Sequence, residues 1–244
     1  MWSSIEQIIK PESFSEALVL GQEAGSAFFS GGTYLVGARA KAIHTLLDLN
    51  HLLSDRIEKR DGALVVGAGS TLQSMLGSAS MTLANAIMAS CPSKNIRNQR
   101  TLGGEIAQGR PDSDLFVYLH AAEATLQLND SETLIPLAAW DKSGIISKIL
   151  IAENNTKMER VSVLDSAPAF VIVALNQTAE NITLAIGGKI SRIIYAKTPL
   201  APEEAKIIAF METVESLFSL DHFGSPGYKR QLVSHLLCEL MVGK

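Results

Sequence analysis

Two glycine pairs are the residues of this chain whose type and spacing suggest chemistry. The first lies in SGGTYLVG, which begins at Ser30, and the second lies in TLGGEIAQG, which begins at Thr101. A tight turn needs one glycine to reach a positive φ, and rarely two side by side. Unpaired N–H groups at a strand-to-helix turn, which we expect at each pair, attract anions, and glycine lacks the Cβ that would keep a phosphate away. The two pairs together could surround a pyrophosphate, although a tight turn alone also explains either pair.

Familiar phosphate and nucleophile motifs do not account for these glycines. The P-loop pattern is absent, because the GGK at 187–189 is followed by Ile190 rather than Ser or Thr. The dinucleotide fingerprint fails after GAG at 67–69, because Leu72 stands where the third glycine belongs. A G-x-S-x-G nucleophile elbow is also missing. These patterns disfavour a Rossmann site and a hydrolase.

Short strands and helices are predicted to position the glycines in the first part of the chain. Ser13-x-x-Glu16 predicts a capped helix that continues until Gly25. Further elements follow from periodicity and turn signals: a buried strand at 27–29, a helix from near Thr33, a strand at 63–69 followed by two short helices, a helix at 112–124 capped by Ser113 or its neighbours, and a hairpin at 124–137 turning at Asn129-Asp130.

The character of the sequence changes after about Trp140. From Ile145 to Tyr195 the chain reads as strand after strand, and two helices at roughly 202–220 and 226–242 close it. Strands followed by helices are typical of an α+β layer. We therefore predict a domain boundary near residue 150.

Composition excludes several classes of protein. The chain has 244 residues, 47% hydrophobic and 19% charged, with a net charge of −4, which is ordinary for a globular protein. No basic run is interleaved with aromatic residues, so we expect no nucleic-acid partner. The longest apolar stretches, 169–175 and 232–242, are too short to span a bilayer, and the N-terminus predicts no signal peptide.

Cysteine and histidine usage bounds the redox chemistry. Cys91 and Cys238 are the only cysteines and form no C-x-x-C, which fits a reducing compartment and a cytoplasmic location. Two thiolates cannot hold an iron–sulfur cluster, which usually needs four. The five histidines show no metal-binding spacing, so we expect no metal site.

A set of motifs in the right order resembles a known family. They are PESFSEA (11–17), SGGT (30–33), LDL (47–49), GAGST (67–71) and, most specifically, IRNQRTLGGEIAQGRPDSDL (96–115). They resemble the FAD-binding subunit of the molybdenum hydroxylases, which include xanthine dehydrogenase and carbon monoxide dehydrogenase. Order and spacing match through about residue 137, and GSPGYKR (224–230) resembles the C-terminal part of the same subunit.

The resemblance implies an α+β architecture with a PCMH-type FAD-binding fold. The FAD-binding domain would span 1–150, as two α/β subdomains of about 1–55 and 56–150. A C-terminal CO-dehydrogenase-flavoprotein-like domain of strands followed by two helices would span 151–244. FAD would lie between the two N-terminal subdomains.

The resemblance also implies which residues hold FAD. One side of the pyrophosphate would be wrapped, mainly by backbone N–H groups, by Ser30, Gly31, Gly32, Thr33, Tyr34 and Leu35. The other side, approaching the flavin, would be wrapped by Thr101, Leu102, Gly103, Gly104 and Glu105. We refer to residues 30–35 as the first elbow and residues 101–105 as the second elbow.

Four further residues are weaker candidates. Asp114 would accept a hydrogen bond from a ribityl or ribose hydroxyl, although a carboxylate favoured by a helix dipole fits it equally well. Gln108 and Ser113 lie on the same segment. Lys157 stands where the family commonly has a lysine that would stabilise the anionic reduced flavin, although a solvated loop lysine explains it slightly better. No residue is expected to act as a catalytic acid or base.

The implied function is that of the FAD-binding subunit of a xanthine dehydrogenase-like complex. It would pass electrons between a [2Fe–2S] subunit and NAD⁺ or another acceptor, and a molybdopterin-binding subunit would oxidise the substrate. Three departures from the family pattern leave a non-catalytic scaffold without FAD as an alternative: Tyr34, Glu105 and a short 140–161 segment. A self-contained flavoenzyme of the vanillyl-alcohol-oxidase type is the other alternative, although the C-terminal half offers no clear set of convergent polar groups.

Overall fold

The computed structural model describes residues 2–200 and 204–242, and the side chains of all of these except 204–208. The chain groups into two compact units. The first unit comprises the chain as far as Ser78, with Ser93–Gln108 and Thr125–Ile151. The second comprises Ala79–Pro92, Gly109–Ala124 and the chain from Ala152 onward. The predicted domain boundary near residue 150 stays a prediction.

A small parallel sheet in the first unit leads into the first elbow. Its strands are β1 (Gln7–Ile9), β2 (Ser26–Phe29) and β3 (Thr45–Asp48), in the order β1-β3-β2. Helix α1 (Phe14–Leu20) connects β1 to β2, and the short helix α2 (Leu35–Ala38) follows β2. Ser13 caps α1 as predicted, because its hydroxyl accepts the N–H of Glu16.

Two boundaries in this region differ from the sequence prediction. Helix α1 ends at Leu20 rather than near Gly25, because Gly21 is its C-cap and the chain turns at residues 22 and 23, before Gly25. The predicted strand at 27–29 is present, but it is only partly buried, with Phe28 40% exposed.

A five-stranded sheet completes the first unit. Its strands are β4 (Ile57–Arg60), β5 (Ala63–Gly67), β6 (Thr125–Leu128), β7 (Leu134–Pro136) and β8 (Ile146–Ala152), in the order β4-β5-β8-β6-β7. The predicted hairpin is confirmed as the antiparallel pair β6-β7. Along the chain, five helices follow β5 and precede β6: α3 (Leu72–Met75), α4 (Met81–Ser90), α5 (Lys94–Arg97), α6 (Leu102–Gln108) and α7 (Asp114–Ala121).

The second unit is built on a four-stranded antiparallel sheet. Its strands are β9 (Lys157–Val161), β10 (Val171–Gln177), β11 (Asn181–Gly188) and β12 (Ile194–Pro199), in the order β12-β11-β10-β9. Helices α8 (Glu204–Leu217) and α9 (Pro226–Val242) follow the strands. The predicted α8 began at residue 202, and residues 202 and 203 lie outside the described part of the chain.

Both faces of this sheet are covered, which explains the continuous apolar run of β10. Val171, Val173 and Leu175 pack in one core with Val214 of α8 and Val233 of α9. Ile172 and Ala174 point the other way and pack with Val117 and Ala121 of α7. Successive residues of a strand face opposite sides, so burial on both sides requires apolar residues at every position.

Candidate functional site

The first elbow joins a strand to a short helix and leaves its backbone donors available. It follows β2 directly and ends in the first residue of α2, with Gly32 at φ 68°. The carbonyls of Gly32 and Tyr34 accept the N–H groups of Val36 and Ala38 at 2.9 and 2.8 Å. Within the described part of the chain, the N–H groups of residues 31–35 donate to no protein acceptor. Consecutive free N–H groups in a glycine turn form a concave site for an anion.

Side chains at the first elbow fix its start and leave its middle open. Ser30 Oγ donates to Asn50 Oδ1 at 3.1 Å, and Asn50 Nδ2 donates in turn to Asp48 Oδ1 at 2.7 Å. Tyr34 is 50% exposed, whereas Thr33 and Leu35 are half-buried. The elbow is therefore anchored to the end of β3 and presents its backbone at the surface.

The second elbow forms the beginning of helix α6 and uses its donors inside the protein. The N–H groups of Leu102 and Gly103 donate to the carbonyls of Ser70 and Ala68, each at 2.9 Å. Those of Gly104 and Glu105 donate to Oγ1 and the carbonyl of Thr101 at 3.2 and 3.0 Å. The elbow follows helix α5 and not a strand, so the expectation of a strand-to-helix turn is wrong here.

The two glycines of the second elbow have different surroundings. A Cβ on Gly103 would lie 2.7 Å from Cβ of Ala68, so this glycine lets the helix start pack on the turn at 67–69. Gly104 is exposed, and a Cβ there would meet Oγ1 of Thr101 at 2.9 Å. Gly104 is thus the position of this elbow where a ligand can approach the backbone.

The two elbows lie against each other within the first unit. A Cβ on Gly31 would fall far inside contact distance of the Gln99 carbonyl oxygen and 3.2 Å from the backbone nitrogen of Thr101. Gly31 is therefore required by the neighbouring backbone. The structure brings the predicted elbows together, and their contact with a pyrophosphate stays a prediction.

Glu105 is a buried carboxylate with a nearby cation. It is 3% exposed, and its Oε2 lies 3.3 Å from Nη1 of Arg100, whose side chain is 19% exposed. An arginine beside a buried carboxylate compensates its charge. Nothing in the sequence pattern had pointed to Arg100, although its spacing of five from Glu105 places it just before α6.

Asp114 lies at the first position of helix α7 and pairs with an arginine. Ser113 caps the helix, because its Oγ accepts the N–H of Phe116 at 3.2 Å. Oδ1 of Asp114 lies 2.8 Å from Nε of Arg160, a distance that fits an ion pair although the N–H is not aimed along it, and both carboxylate oxygens are inaccessible to solvent. Burial raises the pKa of Asp114 to about 6, and the charge of Arg160 offsets part of that rise.

Arg160 was missed by the sequence analysis, since no local pattern connects it to Asp114. Its Nη1 and Nη2 donate to the carbonyls of Asp165 and Ala167 at 2.8 and 2.6 Å. It therefore ties the start of α7 to the loop before β10. This internal partner favours the structural explanation of Asp114, and its hydrogen bond to FAD stays a prediction.

The last two predicted FAD contacts, Gln108 and Lys157, each lie at the end of a secondary-structure element. Gln108 is the half-buried last residue of α6. Lys157 is the exposed first residue of β9, and its Nζ donates to the carbonyl of Leu240 in α9 at 3.3 Å. A cation near the end of a helix interacts favourably with its dipole. Their roles toward FAD stay predictions.

The described residues show neither a metal-binding cluster nor a membrane-spanning helix. Among residues 2–200 and 204–242, no group of three or more His, Cys, Asp and Glu side chains is placed to hold a metal ion. No helix in the described part of the chain has both the length and the apolar character needed to cross a membrane.

Comparison with solved structures shows the fold. The chain resembles a chain of Cu,Mo-CO dehydrogenase in its cyanide-inactivated form, with a TM-score of 0.69 and 17% identity over 95% of this chain and 94% of that one. Reconstituted CO dehydrogenase from Oligotropha carboxidovorans gives a TM-score of 0.71 and 18% identity, over 95% of this chain and 94% of that one. Quinoline 2-oxidoreductase from Pseudomonas putida 86 gives a TM-score of 0.71 and 18% identity, over 97% of this chain and 95% of that one. The predicted α+β, PCMH-type fold class is confirmed.

Comparison of sequences identifies the family. The uncharacterized protein YgfM of Escherichia coli K12 is 32% identical over 134 residues, 53% of this chain and 52% of that protein, and its counterpart in E. coli O157:H7 gives the same values. The chain thus spans about half the length of the curated relatives it matches. Residues 3–143 match the model of the FAD-binding domain in molybdopterin dehydrogenase. This match confirms the resemblance and the FAD prediction, and because it covers more than half of the sequence, the chain belongs to the family of FAD-binding domains of molybdopterin dehydrogenases.

Proposed function

We propose that this chain is the FAD-binding subunit of a molybdenum hydroxylase-type enzyme, and that the first elbow holds the FAD pyrophosphate. The observation that carries the proposal is the row of N–H groups at residues 31–35, which have no protein acceptor in the described chain. These groups lie within the segment that matches the FAD-binding domain family. A pyrophosphate, with two negative centres, suits consecutive backbone donors.

The second elbow supports the first in a different way. Its N–H groups are used inside the protein, so it contributes a fixed surface at exposed Gly104 rather than a row of donors. The charge of Glu105 is compensated by Arg100, 3.3 Å away. A compensated carboxylate repels a nearby phosphate much less than a lone one. The departure of Glu105 from the family pattern is therefore weak support for the scaffold alternative without FAD.

Flavin, when bound, exchanges two electrons with a nicotinamide and single electrons with an iron–sulfur centre. Two cysteines are too few for a cluster, so the one-electron partner belongs on another chain. We therefore propose a [2Fe–2S] subunit and a molybdopterin-binding subunit as partners, and NAD⁺ or another acceptor as the exit for electrons. A xanthine dehydrogenase-like reaction is part of this proposal.

The test is to measure FAD in the purified chain and in two glycine variants. The absorbance spectrum and mass analysis of released cofactor should show about one FAD per chain. Gly104→Val should weaken FAD retention at least tenfold, because the side chain occupies the open approach to α6. Gly77→Ala is the matched control, since a Cβ there meets only the carbonyl of Ser74 at 3.9 Å among described atoms. Gly32→Val is less informative, because Gly32 has a φ of 68° and its Cβ would also meet the Phe29 ring.

The outcomes separate the competing functions. A chain that is colourless and takes up no added FAD would support the scaffold alternative and contradict the proposal. Equal FAD retention in Gly104→Val and in the unmodified chain would remove the second elbow from the site. Bleaching of the flavin spectrum by NADH would identify a nicotinamide as the acceptor.

A further inference from the structure

The second unit contains a pocket of about 500 Å³ that the proposed FAD site does not use. Three loops line it: residues 110–112 before α7, residues 188–191 at the end of β11, and residues between 217 and 221 after α8. All three loops belong to the same compact unit. A volume of this size is typical of sites for small ligands.

Specific backbone contacts build the first two walls. The N–H of Gly188 donates to the carbonyl of Pro111 at 2.8 Å, and the N–H of Lys189 donates to the carbonyl of Phe170 at 3.0 Å. A Cβ on Gly187 would collide with that same Pro111 carbonyl and with Val117. Gly188 has a φ of 113°, a conformation that side chains disfavour. The GGK segment thus has a structural purpose although it is not a P-loop.

A buried lysine fixes the third wall. Lys229 is 0% exposed, and its Nζ donates to the carbonyl of Ser219 at 2.9 Å and to Oδ1 of Asp221 at 2.7 Å. The hydrogen bond from Lys229 lowers the pKa of Asp221, so this carboxylate is ionised and its charge is compensated. The GSPGYKR motif therefore positions the wall of the pocket through Lys229.

Two cations and two carboxylates line the pocket. Nζ of Lys189 lies 3.4 Å from Oδ2 of Asp112, and Nε of Arg110 lies 3.9 Å from Oδ1 of the same carboxylate. Two cations share one carboxylate, whereas Asp221 is already compensated by Lys229. Pro111, Ile190 and Leu217 add apolar surface beside the charges.

We propose that this pocket binds a small molecule carrying a phosphate group. Lys189 and Arg110 would contact the phosphate, because a lysine point charge and an arginine fork are the side chains best suited to phosphate oxygens. Asp112 holds the two cations in place and competes with the ligand for them. The apolar wall accommodates the organic part of the ligand. The proposal does not depend on FAD binding at the elbows.

Titration with inorganic phosphate, followed by backbone amide NMR of the full chain, tests the proposal. Phosphate should shift the amide signals of residues 110–112 and 188–191. Lys189→Gln should weaken this response about tenfold, and Asp112→Asn should strengthen it severalfold by removing the competing carboxylate. Lys197→Gln is the matched control, because Lys197 is a similarly exposed lysine of the same unit that pairs with Glu123 at 2.7 Å. It should leave the response unchanged.

The alternatives give distinct patterns. Shifts confined to residues 31–35 would show that phosphate is recognised at the first elbow alone and would overturn the proposal without affecting the proposed function. An equal response to chloride at matched ionic strength would also overturn it. So would a response that Asp112→Asn and Lys189→Gln change in the same direction.

Discussion

Within the described part of the chain, the N–H groups of residues 31–35 in the first elbow have no protein acceptor, whereas those of residues 102–105 in the second elbow all donate inside the protein. Both segments contain a glycine pair at the start of a helix: the first pair precedes α2, and the second lies in the first turn of α6. At the first elbow Gly31 accommodates the backbone of Gln99, and at the second Gly103 accommodates Ala68. The same motif therefore leaves backbone donors available in one place and allows close packing in the other.

The buried carboxylates extend this comparison. Glu105 and Asp114 were both predicted to contact FAD, and each has an arginine beside it, Arg100 and Arg160 respectively. A carboxylate that is paired inside the protein contributes to the stability of the fold. The donors that are available at the first elbow are therefore backbone groups, whereas both carboxylates already have an arginine beside them, and four variants test this difference.

Gly31→Ala should have the largest effect. Its Cβ would collide with the Gln99 backbone, so we expect the free energy of unfolding to fall by about 4 kcal/mol. Urea denaturation measures this loss. Gly37→Ala in α2 is the control, because a Cβ there has no described neighbour within 4 Å, and it should change stability by no more than about 0.5 kcal/mol. Full stability of Gly31→Ala would mean that the elbows are not in contact.

Arg100→Gln should follow in size. It removes the guanidinium that lies 3.3 Å from the buried carboxylate of Glu105, and breaking such a pair costs about 3 kcal/mol. The double variant Arg100→Gln/Glu105→Gln should recover most of this loss in urea denaturation. If the double variant is no more stable than Arg100→Gln, the pair does not stabilise the second elbow.

Asp114 should make stability fall as pH rises. Its pKa is raised from 3.8 to about 6 in the folded chain, so the folded state holds a proton that the unfolded state has lost between these values. Stability from this group is therefore greatest below the unfolded pKa and is lost as pH rises through the folded pKa. Between about pH 4.5 and about pH 7 the loss is about 2 kcal/mol. The pH slope, measured by denaturation, should flatten in Asp114→Asn, and an unchanged slope would contradict the assignment.

Thr101→Val should have the smallest effect. It removes the Oγ1 that accepts the N–H of Gly104 at 3.2 Å, and loss of such a cap costs about 1 kcal/mol. Thermal denaturation should show a correspondingly small drop in Tm. Because the freed donor lies at exposed Gly104, FAD affinity should not decrease. A clear loss of FAD would instead mean that Oγ1 itself contacts the cofactor.

Local patterns predicted many of the elements in this chain. The Ser13 cap, the β6-β7 hairpin, the Ser113 cap and the strand-rich second half depend on neighbouring residues, and the structure contains all of them. The predicted end of α1 near Gly25 was wrong, because the chain turns back before that glycine. Ordered motifs at 11–17, 30–33 and 96–115 were sufficient to identify the family.

Periodicity, caps and turns are local properties, so the amino-acid sequence was enough to predict most elements, the positions of the glycine pairs and the family. Which backbone donors lack a protein acceptor in the described chain, and which charges are compensated, depends on the tertiary fold. Ser70 and Ala68 accept two of the donors of the second elbow, and Arg160 of β9 pairs with Asp114 of α7. Such partners are distant along the chain and meet only when it folds, so no local pattern contains them.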